Sequence, residues 1–150
     1  MIKVTFNITT SIVLPATPEK VWAVLTDFEN YPNWNPFVTS AAGDWAAGNT
    51  VAITAGGMGF KPTVLKMKKA QELRWLGSLL FRGVFDGEHY FILRDQENGT
   101  TLLTHGEDFS GVLVSLFKSK LNKDTKAGFI AMNEALKERL ATLTPSKLEY

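Results

Sequence analysis

The stretch from Val112 to Leu143 constrains the fold more than any other part of the chain. Its apolar residues recur at helical spacing: Leu113, Leu116, Phe117 and Leu121, then Phe129, Met132, Leu136, Leu140 and Leu143. Lys123, Lys126, Glu134, Lys137, Glu138 and Arg139 fall mostly on the opposite side, as a solvated helix face requires. As one continuous helix of about 32 residues the stretch would run roughly 48 Å. Such a helix is not stable alone and needs a broad apolar partner. The remaining chain reads mostly as strands, so the partner is a sheet. Gly128 lies inside the helix, where glycine costs about 1 kcal/mol relative to alanine. It is either tolerated in close backbone packing or leaves room for another group. Asn122, Asp124 and Thr125 can each cap a new helix start, which predicts a kink or break there.

Bulk properties limit the classes of function. A chain of 150 residues, 45% hydrophobic and 21% charged, suits one soluble domain with a real core. Residues 1–143 are read as that domain and 144–150 as a frayed tail. A net charge of +1 gives no electrostatic footprint for nucleic acid. The absence of cysteine excludes disulfides, thiol catalysis and cysteine-ligated metal, and suits a reducing cytoplasm. The N-terminus alternates rather than forming an apolar run, so it is not read as a signal peptide. No stretch is apolar for long enough to span a membrane. No cofactor is expected.

Residues 2–14 alternate, with Ile2, Val4, Phe6, Ile8, Ile12 and Leu14 as the apolar set, and read as a long half-buried strand. Thr17-Pro18-Glu19 opens a short helix, with Thr17 as cap and Pro18 in the first turn. Val21, Trp22, Val24 and Leu25 form its buried side. Phe28 to Pro36 is too rich in Pro, Asn and aromatics for a regular strand. Strands follow at 37–42, 50–55, 60–69, 72–81, 85–94 and 100–109. The glycines at 56, 57 and 59 mark a flexible loop, and Asn98-Gly99 is a strong turn signal. Consecutive strands with short turns form an antiparallel meander.

The run from Pro18 to Phe28, followed by Tyr31-Pro32-x-Trp34-Asn35-Pro36-Phe37, resembles the START-related (SRPBCC) superfamily of helix-grip proteins. That group includes polyketide cyclase/dehydrase-like, birch-pollen-allergen-like and lipid-transfer domains. Gly128 to Lys137 resembles the same group's final helix, and Leu73-Arg74-Trp75-Leu76-Gly77 with Gly87-Glu88-His89 resembles a bacterial branch. The resemblance implies an α+β fold: a curved antiparallel sheet of about seven strands around the long C-terminal helix, with short helices after the first strand. It also implies a cavity between sheet and helix. It does not specify an activity, because this fold hosts many.

In the last three strands the odd positions share faces: Leu73, Trp75, Gly77, Leu79 and Phe81; Phe85, Gly87, His89, Phe91 and Leu93; Leu103, His105, Glu107 and Phe109. The opposite faces carry Arg74, Asp86, Glu88, Arg94 and Asp108 and read as solvent. Both histidines and Glu107 therefore fall on the apolar side, where unpaired polar groups cost several kcal/mol. They either bond one another or a backbone group, or line a cavity and orient the polar end of a guest. A site of two histidines and one carboxylate is chemically compatible with a metal, but no motif supports it and none is assigned.

The remaining candidates each carry two readings. Trp34 and Phe37 follow the short helix, near the mouth that this fold closes, as anchors or as ligand contacts. Met58 and Phe60 adjoin the glycine-rich loop, as a mobile lid or as staples. Asn133, beside the helix stripe, either donates into the cavity or satisfies a backbone group. Leu113, Phe117 and Leu121 are placed to gate or line the cavity, beside Phe129 and Met132.

The expected function is binding of a small hydrophobic or amphipathic molecule. Trp75, Leu79, Phe81, Phe91, Phe109, Phe117 and Met132 would supply burial, at roughly 25 cal/mol per Å² of apolar area. One alternative is a polyketide cyclase-like enzyme, with His89, His105 and Glu107 as the acid–base candidates. Another is a co-chaperone-like interaction module, which predicts an exposed apolar patch in place of a cavity.

Overall fold

The computed structural model describes residues 4–143. In order the chain forms β1 (Phe6–Leu14), α1 (Pro18–Leu25), a 3₁₀ turn (Phe28–Asn30), α2 (Tyr31–Trp34), β2 (Val38–Ala42), β3 (Ala52–Ala55) and β4 (Met58–Phe60). There follow β5 (Thr63–Lys68), β6 (Glu72–Leu79), β7 (Phe85–Asp95), β8 (Thr101–Ser110), α3 (Val114–Lys120), a π-helical turn (Leu121–Thr125) and α4 (Lys126–Leu143). This is the α+β helix-grip arrangement: antiparallel strands, short helices after the first strand, and a long C-terminal helix. The first residues of the 2–14 strand reading, and the 144–150 tail, lie outside the described residues.

The sheet is divided. β1-β8-β7-β6-β5 form a five-stranded sheet and β2-β3-β4 a three-stranded one. Eight strands arise where about seven were expected because Lys61-Pro62 splits the 60–69 run. Proline there has no N–H to give a ladder. A Thr50–Thr63 bridge and the bond from the Val51 amide to the Pro62 carbonyl (3.0 Å) join the two sheets. The β3–β4 hairpin turns on Gly56 and Gly57, whose φ values of 58° and 83° suit the tight turns that match strand twist.

The register across the large sheet positions the site. Trp75 pairs with His89 and His89 with Glu107, so the three lie in a row across β6, β7 and β8. Phe91 pairs with His105, which pairs with Thr10 on the edge strand β1. Against this face α4 lays Phe129, Met132, Leu136 and Leu140, none more than 2% exposed. Thr17 caps α1 by accepting from the Lys20 amide, and Val21, Trp22 and Leu25 are buried.

Phe28 to Trp34 is not a strand, as its composition predicts, and forms two short helical turns held by the buried Tyr31, whose hydroxyl bonds the Leu25 carbonyl. Three local readings are corrected. The helix does not break at Asn122 to Thr125; it widens into the π turn with helical backbone on both sides, and no side chain caps it. Asp86 does not face solvent: it is buried beneath the 80–84 turn, accepting from the Ser78 hydroxyl (2.6 Å) and the Gly83 amide (2.9 Å). Phe81 does not join the inward face. β6 ends at Leu79, Leu80 takes a φ of 72°, and Phe81 is left 76% exposed. Among the described residues no helix is long and apolar enough to cross a membrane.

Candidate functional site

A cavity of about 540 Å³ lies between the small sheet, the open ends of β6 to β8, and the segment from α3 through the π turn. Of the residues singled out from sequence, Phe37, Met58, Phe60, Trp75, Leu79, His89, Glu107, Phe109, Phe117 and Leu121 line it. Trp34, Phe81, Phe91, His105, Leu113, Phe129, Met132 and Asn133 do not. Trp34 packs edge-on against Tyr31 in the core, 5.3 Å between rings. Phe91, Phe129 and Met132 are sealed in the interior, and Leu113 precedes α3.

Other lining groups escaped the sequence reading. Ile53, Ala55, Gly56 and Pro62 come from the small sheet and the link beyond it, and Lys120, Asp124 and Thr125 from the end of the helix. Gly77, Phe85 and Gly87, which alternation places on the inward strand faces but which were not named as ligand contacts, line the cavity as well. Alternation gave no such placement for Ser78.

Two glycines shape the interior. A Cβ on Gly128 would stand 2.5 Å from the Phe37 ring, so the space inside the helix is taken by Phe37. A Cβ on Gly87 would collide with the Glu107 carboxyl, which lies across that strand. The Asn35 side chain accepts from the Phe37 and Val38 amides (3.0 and 2.9 Å), which holds Phe37 at this place.

His89, Glu107, His105 and Asn133 form one hydrogen-bonded chain. Glu107 Oε1 lies 3.0 Å from His89 Nδ1, and His89 Nε2 lies 2.8 Å from His105 Nε2. His105 Nδ1 lies 2.8 Å from Asn133 Oδ1, Asn133 Nδ2 donates to Thr10 Oγ1 (2.9 Å), and Thr10 donates to the His105 carbonyl (2.8 Å). That carbonyl can only accept, so it fixes the direction of every bond before it. Thr10 spends its proton there and must accept from the Asn133 amide. Asn133 Oδ1 must then accept from His105 Nδ1–H. The neutral His105 presents a bare Nε2 to His89, which donates from its own Nε2. His89 Nδ1 is left as an acceptor, and a protonated Glu107 supplies the donor.

Electrostatics agree with that direction. Burial pushes the Glu107 carboxyl up to about 8, with the nearby Asp108 adding to the effect. Burial pulls His89 down to about 3. His105 is held well below the usual imidazole range by burial and by neighbouring His89, against the opposing pull of its Asn133 bond. Glu107 and His89 therefore share a neutral hydrogen bond at pH 7 rather than an ion pair. The rings are gripped as well. His89 stacks on Trp75 at 4.7 Å, and His105 is sandwiched between Phe91 (4.3 Å) and Phe129 (4.5 Å).

Glu107 and His89 are the members of this chain that line the cavity, with His105, Asn133 and Thr10 sealed behind them. Thr10 closes the far end and was missed from sequence. Its signal was a polar residue at an even position of β1, in phase with the buried Ile8 and Leu14. The two histidines and Glu107 do not converge on a common point, since their ring nitrogens face one another. Among the described residues no group of three or more His, Cys, Asp or Glu is placed to hold a metal ion.

A curved antiparallel sheet closed by a long helix, with a cavity between them, defines a START-like helix-grip protein. A sequence model of the family described as "Polyketide cyclase / dehydrase and lipid transport" matches residues 5–143, and the chain belongs to that family. No curated protein matches it. Among solved structures, protein MLL2253 from Mesorhizobium loti is 20% identical, with 93% of this chain and 99% of that one covered and a TM-score of 0.74. A START superfamily protein from Mycobacterium smegmatis is 21% identical over 92% of this chain and 99% of that chain, with a TM-score of 0.70. A norcoclaurine synthase point mutant from Thalictrum, in complex with a transition-state analogue, is 10% identical over 97% and 100%, with a TM-score of 0.73. At these identities the likeness is one of fold.

Proposed function

We propose that the protein binds a small apolar or amphipathic molecule in the cavity between the two sheets and the C-terminal helix, with the molecule's polar end at Glu107. The observation that carries this reading is the cavity itself. About 540 Å³ lies within the range of small-molecule sites, and its walls are mostly aromatic and aliphatic with few polar groups. Burial against Trp75, Phe85, Phe109 and Phe117 supplies most of the affinity, and Glu107 supplies orientation. The family description, which includes lipid transport, points the same way.

Native mass spectrometry of protein from its own host, together with thermal unfolding against a panel of lipophiles, tests the reading. A co-purifying small molecule, or a lipophile that raises Tm, is expected. Gly77→Leu should remove the shift by filling the cavity, since Gly77 lines it and an added Cβ there meets Pro62 only at 3.7 Å. No bound molecule and no shift with any lipophile would sink the proposal.

A second reading is favoured by one observation: the Glu107 carboxyl, which burial pushes up from the usual carboxylate range, lines the cavity and is held from behind by His89, 3.0 Å away. Such a pair suits proton transfer to or from a cavity-bound carbonyl compound. In its ionised form Glu107 would take a proton from the substrate and later return it to the product, with His89 staying neutral and holding the carboxyl in place. For this enzyme, Glu107→Gln would abolish turnover and leave binding intact.

A further inference from the structure

The ligand-binding reading leaves the chemistry of the guest's polar end open, and the direction of the buried chain bears on it. We infer that the cavity selects a neutral molecule carrying a hydroxyl, an alcohol or a phenol, which donates to Glu107 Oε2. This rests on the proposal that the cavity binds a ligand at all.

Every proton in the chain is committed away from the cavity, toward the His105 carbonyl. The last one lies between Glu107 Oε1 and His89 Nδ1, 3.0 Å apart. Whichever of the two atoms holds it, Glu107 Oε2 carries only lone pairs. Oε2 makes no hydrogen bond among the described residues, whereas both ring nitrogens of His89 are occupied. For Glu107 to donate to a guest it would have to withdraw its proton from His89, leaving a buried ring nitrogen without a donor.

Apart from the Trp75 indole N–H, which makes no hydrogen bond among the described residues, the donors that line the cavity are already spent or lie at its rim. The Ser78 hydroxyl is spent on Asp86, 2.6 Å away. Lys120 is 73% exposed and paired with Asp124 at 3.1 Å, so this cation belongs to the rim. Thr125 lies on the π turn beside that pair. A carbonyl or carboxylate set against Glu107 Oε2 would meet lone pairs with lone pairs, whereas a hydroxyl there donates to Oε2 and keeps its own lone pairs for a donor such as the Trp75 N–H. A hydroxyl satisfies the one free acceptor. Leaving a buried acceptor unsatisfied corresponds to a loss of affinity on the order of five- to a hundredfold.

A matched set built on one apolar body makes the test: naphthalene, 2-naphthol, 2-methoxynaphthalene and 2-naphthoate, titrated calorimetrically into the full chain near pH 6.5. The naphthol should bind roughly tenfold to a hundredfold tighter than the ether or the carboxylate. Glu107→Gln should keep that order. Its amide nitrogen can donate to His89 Nδ1 and leave a carbonyl oxygen facing the cavity. Glu107→Leu should bring the naphthol and the ether to equal affinity. Equal binding of naphthol, ether and carboxylate to the natural protein overturns the inference and leaves ligand binding standing. So does a naphthol preference that survives Glu107→Leu. If none of the four binds, the parent hydrocarbon included, this inference is overturned for aromatic alcohols, and the lipophile panel with native mass spectrometry decides whether ligand binding itself stands.

Discussion

The two halves of the C-terminal helix carry the same apolar periodicity and meet different fates. From Lys126 to Leu143, the stripe of Phe129, Met132, Leu136 and Leu140 is sealed against the sheet and α1. From Val114 to Thr125, Leu116 is 75% exposed and Phe117 42% exposed, and only Val114 and Leu121 are buried. The difference lies in what sits beneath them. The second half rests on filled strands, whereas the first spans the cavity, and the π turn between them feeds Leu121, Asp124 and Thr125 into its wall. An amphipathic stripe therefore marks a face that meets apolar surroundings, not one that is packed. The first half has the character of a lid, and the second that of a clamp.

The sharpest way to break this contrast is to truncate each half. Leu136→Ala should cost roughly 2–5 kcal/mol in urea unfolding, through lost burial and an unfilled hole. Leu116→Ser should stay within about 0.5 kcal/mol. Similar losses at both sites would mean that the two halves are packed alike.

A smaller effect is expected where the halves meet. Gly128→Ala sets a methyl against the Phe37 ring and should destabilise by about 1–3 kcal/mol, despite the helix propensity it gains. Combined with Phe37→Leu, the penalty should shrink, and the double-mutant cycle measures that coupling. Strict additivity would show that Phe37 does not occupy the space left by Gly128.

The smallest expected effect concerns pH. Glu107, raised from 4.5 to about 8, contributes stability that is fully present below 4.5 and lost as pH rises through 8. His89, lowered from 6.5 to about 3, contributes stability present above 6.5 and lost as pH falls through 3, and His105 shifts in the same direction. Stability from these groups should therefore climb toward pH 6.5 and decline from there to 8. Glu107→Gln should remove the decline and leave the acid limb. Urea midpoints for both proteins across that range check it, and a difference that stays flat above pH 6.5 would mean that Glu107 is already ionised.

Much of this was legible in the chain. Alternation put His89, His105 and Glu107 on the inward faces of β7 and β8, and the Thr17-Pro18 start of α1 follows from capping chemistry. What alternation could not supply was depth. His105 shares a face with cavity-lining residues but is roofed by Phe129, a residue of the distant C-terminal helix. Phe81 kept the right parity and still turned outward, because the strand ended two residues before it. Asp86 has the parity of a solvent residue and is buried by a turn folding over it.

By itself, the sequence determined the strands, the final helix and the polar residues confined to an apolar face, because period and side-chain chemistry are local properties. The tertiary structure alone decided that the first half of that helix covers a space and the second fills one. It also decided that Thr10 closes the polar chain and that Glu107 is the end that opens. Those outcomes depend on which side chains from distant segments occupy the same volume, and on one backbone carbonyl whose neighbour lies 95 residues away along the chain.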